Sequence, residues 1–138
     1  MSETTAAQAD SARFCDRPKR LAAKEQDRLL RVAALVRQEL EASGSGVALL
    51  SRSGQDLARF GQRYSHAGVS LAASANTPWS VRQLYFDCDE GYPRLFDQGI
   101  AGFVLGNDNP RLGYLSMVLL PEAPARALER RALDNAAA

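Results

Sequence analysis

One histidine is all that 138 residues offer for acid–base chemistry near neutral pH, and cysteine and tryptophan are almost as scarce, at two and one. A lone imidazole excludes a multi-histidine metal centre, and the two cysteines form no CxxC or Cys/His cluster of zinc spacing, so no metal is expected. Long apolar runs are missing too. None approaches the roughly 20 residues that cross a bilayer, and Met1 to Asp10 has neither the basic start nor the apolar core of an export signal. Neither sign of charge dominates, since 17 basic and 16 acidic side chains leave a net charge of +1. Nucleic acid and anionic lipid are therefore not expected partners. No Gly-x-Ser-x-Gly elbow occurs, and the glycines at 99 and 102 lack the lysine and the strand of a phosphate loop. The acidic run Asp87-Cys88-Asp89-Glu90 supplies too few oxygen ligands for calcium, and no cofactor is expected.

What is present suffices for one packed domain, because 46% of the residues are hydrophobic. Residues 1–14 are rich in Ala, Ser and Thr without periodicity and are expected to form a mobile tail, leaving 15–138 as a single α+β domain. Leu29, Ala33, Val36 and Leu40 recur at helical spacing and predict an amphipathic helix over about 22–42, ended by the glycines of Ser43-Gly44-Ser45-Gly46. Val47 to Ser51 reads as an interior strand, and Arg63 to Leu71 as a second strand. Trp79 to Phe86 reads as a third strand, paired with the second in a hairpin. A short strand at 94–96, a helical turn capped by Asp97, an apolar strand over 113–120 expected at the centre of the sheet, and a helix over about 124–135 complete the chain. The fold class expected is α+β, an antiparallel sheet of about four or five strands flanked by helices.

The single histidine falls inside the second of these strands. By two-residue alternation His66 shares a face with Tyr64, Gly68 and Ser70, while Ala67, Val69 and Leu71 form the apolar face assigned to the core. His66 is thereby expected to look into a groove, with Gly68 leaving space beside it and Trp79 and Arg63 near enough to line it. Arg82 and Gln83 point to opposite faces of the next strand, so one of them joins the histidine's side. Among catalytic pairings a cysteine with the histidine is chemically the most sensible, since an imidazolium stabilises a thiolate. Cys88 reaches the histidine strand only if the hairpin returns it, and its neighbours Asp87 and Asp89 disfavour the thiolate. A lone strand histidine also serves often as a half-buried structural residue.

Several motifs together carry a family resemblance. Arg17-Pro18, Glu25-Gln26-Asp27-Arg28-Leu29-Leu30, Arg63-Tyr64-Ser65-His66-Ala67-Gly68-Val69, Arg82-Gln83-Leu84-Tyr85, Cys88-Asp89-Glu90 and Leu95-Phe96-Asp97-Gln98-Gly99 resemble the bacterial domain-of-unknown-function family 2145, over about Cys15 to Asn135. More remotely, Ser65-His66-Ala67-Gly68-Val69 is similar to the histidine strand of circularly permuted papain-like hydrolases of the NlpC type. That resemblance implies a permuted papain-like fold, with His66 as general base and Gln83, or less readily Arg82, as the group orienting it. It implies further a nucleophile on a downstream Asn-Cys-Asn-Gln-Trp type segment and an export signal, neither found in these 138 residues. The same resemblance implies a periplasmic or secreted location and makes Cys15 and Cys88 a candidate disulfide; the alternative, with no export signal in these residues, is a cytoplasmic chain with two free thiols. The reading expected is an envelope cysteine hydrolase of amide or ester bonds, acting on a small-molecule, peptide or lipid substrate, of which this chain is the histidine half. The competing reading is a non-catalytic binding or structural domain using the groove of His66, Tyr64 and Trp79.

Overall fold

The computed structural model describes residues 20–54, 57–107, 109 and 111–134. The expected tail over 1–14 lies outside them. Helix α1 spans Ala23–Ala42 and buries Leu29, Ala33, Val36 and Leu40, the four residues that the helical period singles out. Its first turn is tied by the Glu25 carboxylate, which accepts the Ala22 N–H at 2.9 Å. At its other end the Ser43 hydroxyl donates to the Leu40 carbonyl at 2.6 Å, and Gly44 turns the chain at φ +70°.

Five strands follow, β1 (Val47–Arg52), β2 (His66–Leu71), β3 (Ser80–Asp87), β4 (Tyr92–Gln98) and β5 (Leu115–Val118). A helix α2 (Ile100–Leu105) separates β4 from β5, and α3 (Glu122–Asp134) follows β5. The sheet order is β4-β3-β2-β1-β5, with every neighbouring pair antiparallel, so the class is α+β. No helix among the described residues is long and apolar enough to cross a membrane.

Both faces of this sheet are covered, by different helices. Ala48, Leu50 and Val81 pack with α1 and α2 into the larger core, whereas Val47 and Leu71 pack against Ala125 of α3. On β2 the face expected to be core is core in part, since Leu71 and Val69 pack against α3 while Ala67 is exposed. The correction concerns the other face, where Gly68 and Ser70 stand on the side of the larger core and Ser70 is fully buried. Alternation alone shows two faces and not that helices cover both.

Three placements differ from expectation. Trp79 precedes β3, with a left-handed φ of 62°, and lies buried in the larger core. Its N–H donates to the Leu71 carbonyl at 2.8 Å, and its carbonyl accepts the Ser70 hydroxyl at 2.9 Å, so two hydrogen bonds hold a backbone shape that a side chain disfavours. Asp97 belongs to β4 and caps nothing, since the residue before α2 is Gly99. Strand β5 is an edge strand and not a central one, with Val118 49% exposed. The acidic turn after β3 is closed internally. Asp87 accepts the N–H groups of Asp89 and Glu90 at 3.0 and 3.1 Å, and Gly91 takes φ +78°.

Candidate functional site

His66 opens β2 opposite Arg52, the last residue of β1. The pairing Ser70↔Val81 fixes the β2–β3 register, and two steps along each strand bring His66 beside Tyr85 on the face shared with Gly68 and Gln83. The rings of His66 and Tyr85 stack with centroids 5.4 Å apart and planes 24° apart. Tyr85 in turn meets Phe96 of β4 edge-on at 5.8 Å, and the Arg94 guanidinium lies 5.9 Å from the Phe96 ring. An aromatic row thus crosses three strands at one end of the sheet, with the half-buried imidazole at its head.

Three polar side chains converge on the backbone beside that imidazole. The Ser65 hydroxyl lies 2.7 Å from His66 Nδ1. A Cβ placed on Gly54 would fall 2.6 Å from Arg52 Nη1 and 2.7 Å from both His66 Nδ1 and Ser65 Oγ. The backbone at Gly54 thus passes close against the ends of this trio, a proximity that the Ser53-Gly54 pair conceals by also being an ordinary turn signal.

Arg52 is the most constrained member, 5% exposed at the end of an apolar strand. Its Nη1 donates to the carbonyls of Gly106 and Ser53 at 2.8 and 3.1 Å, and its guanidinium stands 5.2 Å from the Phe103 ring. A buried cation needs such acceptors and a π face to offset lost hydration. The sequence carried a usable signal for it. Arg52 continues the alternation of Ala48 and Leu50, so a charge at that position points inward on the helix-covered face. Ser65 and Tyr85 carried none, since nothing in their types distinguishes them before the register is known.

The other expected residues divide by face and by end. Gln83 shares the face of His66, but its amide nitrogen donates to Gln98 Oε1 at 3.1 Å, while the hydroxyl at Nδ1 belongs to Ser65. Arg82 lies on the opposite face, where Nη2 pairs with Asp97 Oδ2 at 2.8 Å and Nη1 donates to the Ala132 carbonyl of α3. Burial alone pushes the Asp97 carboxyl up, but hydrogen bonds from Ser80, Arg82 and Ser74 with the Arg82 charge outweigh it and hold the group below its usual range. Arg63 turns to Tyr114, 5.0 Å from that ring, and Tyr64 is exposed at 42%.

Two groove expectations are corrected. Trp79 sits at the far end of the hairpin inside the core and shares no groove with His66. Gly68 opens no space, because an added Cβ would fall 2.6 Å from Val81 Cγ1 and 2.7 Å from the Arg82 carbonyl oxygen. Cys88 lies in the exposed turn beyond β3, three residues past Tyr85, about 10 Å along the strand direction. Its sulfur is in a disulfide. A half-cystine holds no thiol to ionise, so the nucleophile role weighed for Cys88 does not fit this state. Cys15 lies outside the described residues. Those residues hold no group of three His, Cys, Asp or Glu side chains placed to bind a metal.

Residues 39–138 match the family model described as "Uncharacterized protein conserved in bacteria (DUF2145)". The chain belongs to that family. The match spans the whole sheet, the His66 strand and α3, and begins inside α1, so the motifs Arg17-Pro18 and Glu25 to Leu30 stand before it. No curated protein and no solved structure matches the chain. For this family member the site is therefore argued from its geometry.

Proposed function

We propose that this domain is the histidine-bearing half of a papain-like cysteine hydrolase that cleaves amide or ester bonds in the bacterial envelope. The observation that carries the reading is the Ser65 hydroxyl 2.7 Å from His66 Nδ1, which with the Tyr85 stack fixes the imidazole at a strand end. A hydroxyl at one ring nitrogen, able to donate or to accept, holds the ring's orientation in either tautomer. Ser65 thus takes the orienting role that the resemblance gives to Gln83. In the reaction a thiolate attacks the substrate carbonyl, and the His66 imidazolium gives its proton to the departing amine or alcohol. The described residues hold no free cysteine, so the thiolate in this reading is the one that the resemblance implies on a downstream Asn-Cys-Asn-Gln-Trp type segment. The disulfide at Cys88 supports the envelope location, because such bonds persist in oxidising compartments, and we assign its partner as Cys15.

A second reading has one observation in its favour: the one described cysteine is oxidised, as a non-catalytic binding domain would allow. Labelling of the full-length protein with a thiol-directed electrophilic probe separates the two. The hydrolase reading expects one cysteine to label, with the rate falling about 10²- to 10⁴-fold in His66→Ala and in His66→Gln, which keeps a planar group against Tyr85. Labelling indifferent to both substitutions, or none at all, assigns the domain to binding.

A further inference from the structure

A cleft of about 160 Å³ opens between the first turns of α1, the end of β1 and the segment joining α2 to β5. Arg28, Arg52 and Arg111 line it together with Asn107, Asn109 and Tyr114. Its remaining wall is aliphatic, from Leu29, Val32, Val104 and Leu115. Among the described residues lining it there is no carboxylate.

The polar groups facing this space are overwhelmingly donors. Asn107 Oδ1 accepts the Asn109 N–H at 3.2 Å, and Asn109 Oδ1 accepts the N–H groups of Arg111 and Leu112 at 2.9 and 3.2 Å. Both asparagine oxygens are turned onto their own loop, so neither presents a free acceptor there. The guanidiniums add donors with full charge. Ion pairs among the described residues engage Arg31, Arg37, Arg82, Arg94 and Arg126, and neither Arg28 nor Arg111 takes part in one. Arg63, stacked on Tyr114, brings a further cation to the rim.

From this combination we infer that the cleft binds a small organic carboxylate with an apolar body, independently of any role for His66. The carboxylate meets Arg28 and Arg111 in charge-assisted hydrogen bonds, which planar guanidiniums make in pairs. The body of the ligand rests on Leu29, Val32 and Val104. At about 30 Å³ per water, the volume holds roughly five waters, which suits a molecule of about ten non-hydrogen atoms and no larger cofactor. A ligand of that size and a donor-rich site lead to a dissociation constant of about a millimolar.

The experiment is a titration of the full-length protein with benzoate, benzamide and inorganic phosphate, followed by NMR on the Asn, Arg and Tyr114 resonances. Benzoate is expected to saturate near a millimolar and to weaken as salt rises. Benzamide and the Arg28→Gln/Arg111→Gln double variant are each expected to bind or be bound about tenfold more weakly. Both arginines are exposed, and a melting curve of the double variant matching the parent confirms its folding. Equal binding of benzamide, unaltered affinity in the double variant, tighter binding of phosphate, or no saturable shift with benzoate would each overturn the assignment.

Discussion

A methyl group at position 68 has nowhere to go. Its Cβ would lie 2.7 Å from a carbonyl oxygen of β3, a backbone atom that moves only if the β2–β3 pairing moves with it. Position 54 is equally tight, but its neighbours are side-chain ends that can swing aside. Gly68→Ala is therefore expected to lower the free energy of unfolding by about 1–3 kcal/mol in urea denaturation. A variant as stable as the parent would show that the two strands are held less closely. At this scale the sequence was least legible. Gly68 looked like open space because alternation shows the direction of a missing side chain and not what the neighbouring strand places there. Trp79 looked like a strand residue by its type, and a left-handed φ on tryptophan has no signature that composition can betray.

Among the elements, the ion pair of Arg82 and Asp97 is the joint between the β3–β4 hairpin and α3. Both side chains are mostly buried, at 12% and 25% exposed, and Arg82 also caps a carbonyl in the last turn of the helix, where a cation is favoured. Because the folded protein holds Asp97 below its usual value near 3.8, the unfolded chain binds the proton more readily. The resulting stability is complete above the unfolded value and lost as the pH falls through the lower folded one. Urea midpoints are expected to drop as the pH is taken below about 4. Arg82→Met should weaken the protein at neutral pH and flatten that acid slope, whereas an unchanged slope would place the titration elsewhere. Elements were the most legible level, and α1 shows why: its four buried residues repeat at 3.6-residue spacing with nothing to contradict them. The hairpin of β2 and β3 was legible from order alone. Strand β5 was not, since an apolar run reads alike at the centre and the edge of a sheet.

Over the whole molecule, the sheet's aromatic end, the start of α1 and the disulfide at Cys88 gather on one side. Strand β1 ends at Arg52 near Arg28 of α1, and β3 runs past Tyr85 to Cys88 in the same direction. The chain that precedes α1 therefore leaves the described residues at the end of the sheet where Cys88 lies. A bond from Cys88 to Cys15 closes a loop of roughly 70 residues that contains α1, β1, β2 and β3, and chain-entropy arguments give such a cross-link about 4 kcal/mol. Proteolysis without reductant is expected to release one peptide pair joined through these cysteines. Reduction, or Cys88→Ser, should lower the stability by that order in urea denaturation while leaving the far-ultraviolet circular dichroism of the folded state unchanged. A free Cys15 in the unreduced protein would break the assignment, and with it the argument that places the domain in an oxidising compartment.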